Sequence, residues 1–291
     1  MGGAGRSSVD LQRSAARPRP VVVTARRLVK RAAAGYDRAR PPRRDGIVVL
    51  LYHRVGGASG LEIDLPVDRF RAQMAWLAAT RPIVSLDRAI ELLDGEESEG
   101  PAPVVVTFDD GTADFLTHAL PVLVAHGAPA TLYLATRHIE EQAAFPRGGR
   151  PLSWSAVREV VDSSLVTLGS HTHGHLLLDR APPEVAAADL DRSIGLIHDR
   201  VGVAVDHFAY PKNVAGSKPA EREVRARFRS AAVGGCRPNV VGLTDRYRLR
   251  RSPIQVTDDL RWFRRKADGG LRAEEHLRRA ANRLRYQGAT T

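Results

Sequence analysis

The chain has 291 residues, 43% of them hydrophobic and 26% charged, a globular composition that excludes a wholly disordered or fibrous chain. A single cysteine, Cys236, excludes an internal disulfide and a cysteine-rich zinc cluster, so any metal site has to be built from His and carboxylates. The net charge of +11 sits at the ends: residues 1–45 carry +9 and residues 260–291 carry +6, which leaves −4 on the stretch between them. A nucleic-acid enzyme gathers cations around its substrate groove, so an acidic middle argues against nucleic acid as a partner.

Residues 1–20 are rich in Gly, Ser, Arg and Pro and read as disordered. Residues 21–36 read as a short basic helix, closed off by Pro41 and Pro42. Residues 1–45 are therefore expected to form a basic, flexible arm, either solvated or in contact with an acidic membrane face or a protein. The longest apolar run, residues 47–52, is far too short to span a membrane, and no secretory leader is evident. The expectation is a cytoplasmic protein, at most peripheral at the inner membrane face.

Beyond the arm, seven β-rich runs are expected as strands: 46–52, 104–108, 130–135, 165–170, 207–210, 230–234 and 249–256. Helical spacing places Phe70, Met74 and Leu77 on one face over 69–79. It places Val185, Leu190, Ile194, Ile197 and Val201 together over 183–201. A basic C-terminal helix is expected over 271–286, within a terminal segment 260–291. Apolar strands alternating with amphipathic helices predict an α/β fold, a parallel barrel of about seven strands over 46–259. Such barrels keep their chemistry at the carboxyl ends of the strands.

Acids and imidazoles collect at those ends. The second strand runs into Asp109–Asp110–Gly111, the fourth into His171–Thr172–His173–Gly174–His175, and the first into His53–Arg54. Two adjacent carboxylates after a buried strand repel each other, which raises one pKa, and a cation relieves that cost. Asp followed by Gly and Thr also suits a helix cap. The His171–His175 spacing of four brings two imidazoles to one side of a helical turn, within reach of one ion. Two imidazoles and one carboxylate leave positions open for water, as a catalytic zinc site does. His173 is out of step with both.

Thr107–Phe108–Asp109–Asp110–Gly111, Ser170–His171–Thr172–His173–Gly174–His175 and Phe208–Ala209–Tyr210–Pro211 together resemble the polysaccharide deacetylase family, the NodB-homology domains of carbohydrate esterase family 4. Leu51–Tyr52–His53–Arg54–Val55 and Leu249–Arg250–Arg251–Ser252–Pro253–Ile254 resemble many bacterial members, so the similarity covers roughly 46–256. The resemblance implies a distorted barrel and a metal-dependent hydrolase that removes N-acetyl, less often O-acetyl, groups from amino sugars. It implies Asp109 as general base and Asp110, His171 and His175 as ligands of a divalent ion, zinc foremost, with cobalt or nickel as alternatives. Acetylated carbohydrate is the implied partner, with Tyr210, Pro211 and Lys212 lining the substrate. Trp154 is a further candidate for stacking on a sugar.

Three departures carry consequences. Lys212–Asn213 stand where the family often has Tyr-Gly. The Arg that usually precedes the third motif and pairs with the base is missing, so Arg251 is the candidate partner of Asp109. The late Leu-x-His that supplies the acid is absent, and His53 is the candidate acid, ahead of His173 and His207. A carbohydrate-binding relative without activity is the reading from another class. The intact acid pair and His pair argue against it.

Overall fold

The computed structural model describes Gly35, residues 46–96 and residues 100–271. Apart from Gly35 and Leu271, the two expected terminal helices lie outside those residues. Seven strands form: β1 Val48–Tyr52, β4 Val104–Phe108, β5 Ala130–Leu134, β6 Val166–Ser170, β7 His207–Ala209, β8 Ser230–Gly234 and β9 Leu249–Pro253. They close into a parallel barrel in the order β1-β4-β5-β6-β7-β8-β9, with β9 returning beside β1 through Val49↔Arg251, Leu50↔Ser252 and Leu51↔Pro253. A short parallel pair, β2 Arg54–Val55 and β3 Asp64–Leu65, sits just after β1.

The strands are apolar without alternation because both their faces are buried. Outward side chains such as Leu50, Val106, Phe108 and Leu132 pack under the surrounding helices, among them α1 Val67–Thr80, whose Phe70, Met74 and Leu77 are buried as expected. Inward side chains Val49, Val105, Tyr133, Ala209, Ala232 and Leu249 meet Leu86, Ala89, Ile90, Leu92 and Leu93 of α2, Leu86–Leu93. That helix plugs the amino-terminal end of the barrel. Each large side chain withdrawn from water contributes about 1.5–3 kcal/mol.

The short helices α3 Leu120–Ala125, α4 Thr136–Glu141 and α5 Trp154–Asp162 follow β4 and β5. The long helix α6 spans Pro183–Val201, where periodicity places it. Its buried face is Ala186, Leu190, Ser193, Leu196 and Ile197, whereas Val185 is exposed. Positions 186, 190, 193 and 197 keep a helical stripe, and residue 185 sits about 100° around from it. Helices α7 Lys218–Arg227 and α8 Leu260–Ala267 complete the described chain. No helix among the described residues is long and apolar enough to cross a membrane.

Candidate metal centre

Asp109 and Asp110 leave the carboxyl end of β4, where the backbone turns sharply: Asp110 takes φ 78° and Gly111 φ 85°. A Cβ on Gly111 would come within 2.8 Å of Leu134, so this turn needs glycine. His171 and His175 leave β6. The segment between them is not the helical turn their spacing suggests: Thr172 has φ 66° and His175 φ 55°. This bent loop is held from the side by Asp189 of α6, whose carboxylate accepts the backbone N–H groups of His173 (2.7 Å) and Gly174 (2.8 Å). Non-glycine residues in the left-handed region carry strain that packing has to sustain, and here that strain surrounds one site.

The loop brings both imidazoles onto Asp110. His171 Nε2 and His175 Nε2 each lie 3.7 Å from Asp110 Oδ1. Ligand atoms of the three residues all fall within 4.8 Å of one another, a set that could hold one ion. The donors suit a divalent cation. His171 Nδ1 lies 2.7 Å from the Ala209 carbonyl, which can only accept, so Nδ1 carries a proton and Nε2 is the nitrogen left to face an ion. Burial, and then His171, push the His175 pKa down to about 3, so its ring is neutral and free to ligate.

Asp109 faces the same centre. Its Oδ2 lies 3.8 Å from His171 Nε2 and 4.0 Å from His53 Nε2. Arg251, fully buried on β9, grips both carboxylate oxygens: Nη1 to Oδ1 at 2.6 Å and Nη2 to Oδ2 at 2.9 Å. The expected cost of adjacent carboxylates is overturned at this point. Burial opposes ionisation of Asp109, yet Arg251, with His171, brings its pKa down to about 2. Asp110 is lowered as well: burial opposes it, and His53, His175 and His171 outweigh burial and Asp109 together. Neither residue is a helix cap.

His53 stands at the end of β1, fixed by the β2–β3 pair that follows. Arg54 N–H donates to the Ile63 carbonyl (3.1 Å), and Val55 N–H to Asp114 Oδ2 (2.6 Å). Burial lowers the His53 pKa against the pull of Asp110 and Asp109, and its Nδ1 is buried with no hydrogen-bond partner among the described residues.

Other candidates fall elsewhere. His207 begins β7 at the plugged end, bonded to Ser230 Oγ (2.9 Å) and Asp87 Oδ1 (3.2 Å). His173 turns to Thr136 Oγ1 (3.1 Å). Tyr210 is buried against Phe208, and its N–H is committed to Ala232. Pro211 is buried beneath the rim, whereas Lys212 is exposed in a left-handed turn, φ 55°, close enough for its charge to act on His175. Trp154 is half-buried against the core, with its indole N–H given to Glu140 (2.6 Å). Two residues that sequence reasoning missed support the site: Asp189, and Asn213, whose Oδ1 accepts from Arg251 Nη2 (3.2 Å).

Known proteins resemble this chain in sequence and fold. YxkH of Bacillus subtilis (strain 168) is 25% identical over 164 residues, 56% of this chain and 55% of YxkH. The poly-beta-1,6-N-acetyl-D-glucosamine N-deacetylase of Escherichia coli (strain K12) is 31% identical over 140 residues, 44% of this chain. The chain thus spans about half the length of the first relative and 21% of the second. The structure of IcaB from Ammonifex degensii has the same fold, with a TM-score of 0.67 and 24% identity over 77% of this chain and 96% of that one. The family profile described as polysaccharide deacetylase matches residues 96–227, a stretch that contains Asp109, Asp110, His171 and His175. Over residues 96–227 the chain matches the polysaccharide deacetylase family.

Proposed function

We propose that the chain is a metal-dependent hydrolase that removes N-acetyl groups from an amino sugar carried in a polysaccharide, a lipid-linked glycan or a small glycoside. One observation carries the reading: a three-donor set for one ion lies beside a carboxylate that is excluded from that set and held by Arg251. Asp110, His171 and His175 would hold a divalent ion, zinc foremost, which would supply Lewis acidity toward water and the acetyl carbonyl.

The chain's own groups supply the proton transfers. Asp109 is fixed by Arg251 with Oδ2 toward the centre, and it takes the proton of the attacking water there. Its lowered pKa keeps it ionised and ready to accept. The departing amine needs a proton, and His53, whose Nε2 lies 4.0 Å from Asp109 Oδ2, donates it from Nε2. Its lowered pKa leaves the resting imidazole neutral, so His53 first takes up the proton that Asp109 Oδ2 has received from water and then passes it, as imidazolium, to the amine. Lys212, exposed and close enough for its charge to act on His175, is the candidate to meet the substrate.

The test is acetate release from a panel of N-acetylated glycosides and oligosaccharides. Exhaustive chelation should abolish it, and zinc, cobalt or nickel should restore it. Undiminished release from protein shown by elemental analysis to be metal-free overturns the mechanism. Release from O-acetylated sugars alone replaces amide by ester as the substrate.

A further inference from the structure

We propose that His138 is a sugar-binding residue, whose Nε2 accepts a hydrogen bond from a ring hydroxyl of the saccharide being deacetylated. The inference rests on the deacetylase reading and adds a contact to it. Helix α4 is tied by its first backbone amides to both halves of the metal motif. Ala135 N–H donates to the Asp110 carbonyl (3.1 Å), Thr136 N–H to that of Thr172 (3.3 Å) and Arg137 N–H to that of His173 (2.9 Å). The next residue is His138.

Its ring is locked. It stacks on the buried Phe145 with centroids 4.0 Å apart and planes 23° from parallel. Its Nδ1 lies 2.9 Å from the Ala143 carbonyl. A carbonyl only accepts, so Nδ1 carries the proton, and in the neutral ring Nε2 is an acceptor. Nε2 has no partner among the described residues, and it is not one of the buried unpartnered atoms, so it opens to solvent. Residues 143–152, which carry Phe145, are stitched to the turn after Asp110: Leu152 N–H donates to Gly111 (2.9 Å) and Ala113 N–H to Arg150 (2.8 Å). His138 lies outside the three-residue ion set, on the helix whose first amides bind the backbone of Asp110, Thr172 and His173. A fixed, solvent-facing acceptor beside the centre, outside the ion's reach, matches an O–H donor, and a saccharide ring presents several.

The test compares His138→Phe, His138→Asn and His138→Gln on an N-acetylglucosamine oligomer and on 4-nitrophenyl acetate, with metal content and melting temperature alongside. Phe keeps the stacking. Asn keeps a donor for Ala143. Gln alone places a polar atom near the position of Nε2. The Phe and Asn variants should lose roughly three- to tenfold in kcat/KM on the oligomer, the worth of one hydrogen bond, and nothing on the aryl ester; Gln should retain most of the activity. Across a series of monodeoxy glycosides, one member should lower wild-type activity by that factor without lowering the Phe variant further. Equal loss on both substrates, or no loss on the oligomer, overturns the role of His138 alone. A wild-type protein that cleaves the aryl ester and no acetylated sugar overturns the deacetylase reading with it.

Discussion

Asp109 and Asp110 are neighbours in sequence with different surroundings. Asp110 shares an ion site with two imidazoles, whereas Asp109 belongs to Arg251. Asp110→Asn should therefore lose metal. Asp109→Asn should keep it and lose turnover by about 10²–10⁴-fold, the usual contribution of a general base. Equal metal loss in both, read by elemental analysis, removes Asp109 from that role. His53→Ala should cripple an amide substrate and spare a nitrophenyl ester, whose leaving group needs no proton; equal loss on both excludes His53 as the acid. The Arg251 pair also has a pH signature. Asp109 is lowered to about 2, so its contribution to folding is complete above about pH 4 and is lost as pH falls through 2. In Arg251→Met the buried carboxylate has lost its cation, and burial then raises its pKa. The metal-free variant should be less stable by about 3–5 kcal/mol at pH 7, the cost of an unpaired buried charge. That deficit should begin to shrink above pH 4, as the pH falls through the raised pKa and the carboxyl is protonated, and should go on shrinking toward pH 2. Urea midpoints measured from pH 3 to 7 test this, and a deficit independent of pH contradicts it.

At the scale of elements, the loop 171–175 depends on a carboxylate that is not part of it. Asp189→Ala removes the acceptor for two backbone amides and leaves every ligand in place. Zinc affinity should fall by about 10–100-fold, as it does when supporting contacts behind metal ligands are lost; competition with a chromogenic chelator measures it, and unchanged affinity shows that the loop holds its own shape. Asp189 is invisible in sequence because its partners are main-chain groups, which have no residue code, sixteen and fifteen positions away. Asn213 is hidden for a similar reason, since only barrel closure brings it to Arg251. The seven strands were legible because burial on both faces leaves continuous apolar runs. The plug α2 was missed, although Ser85 caps it by accepting from Arg88 N–H and Leu86, Ala89, Ile90 and Leu93 fall on one helical face. Its eight residues are simply short for a periodicity argument. The His171–His175 pair was recognised by spacing, but the geometry behind that spacing is a left-handed bend.

At the scale of the molecule, chemistry occupies one end of the barrel, and α2 closes the other. Every residue of the described centre lies after residue 46. Removal of residues 1–44, which hold much of the positive charge, should leave turnover of a soluble glycoside unchanged. Binding to anionic vesicles should fall and lose its salt dependence if the arm is what carries it. A folded but inactive truncation, with native circular dichroism, shows instead that the arm completes the site.

The closure of the barrel by β9 against β1 has a consequence for synthesis. The ion's ligands, Asp110 through His175, all leave the ribosome long before Arg251, which lies on the last strand. A nascent or prematurely ended chain can thus possess every metal donor while Asp109 has no cation to hold it. Under the proposed function, loading with metal and competence for hydrolysis are separable events in the life of each molecule, and the second waits for the final strand.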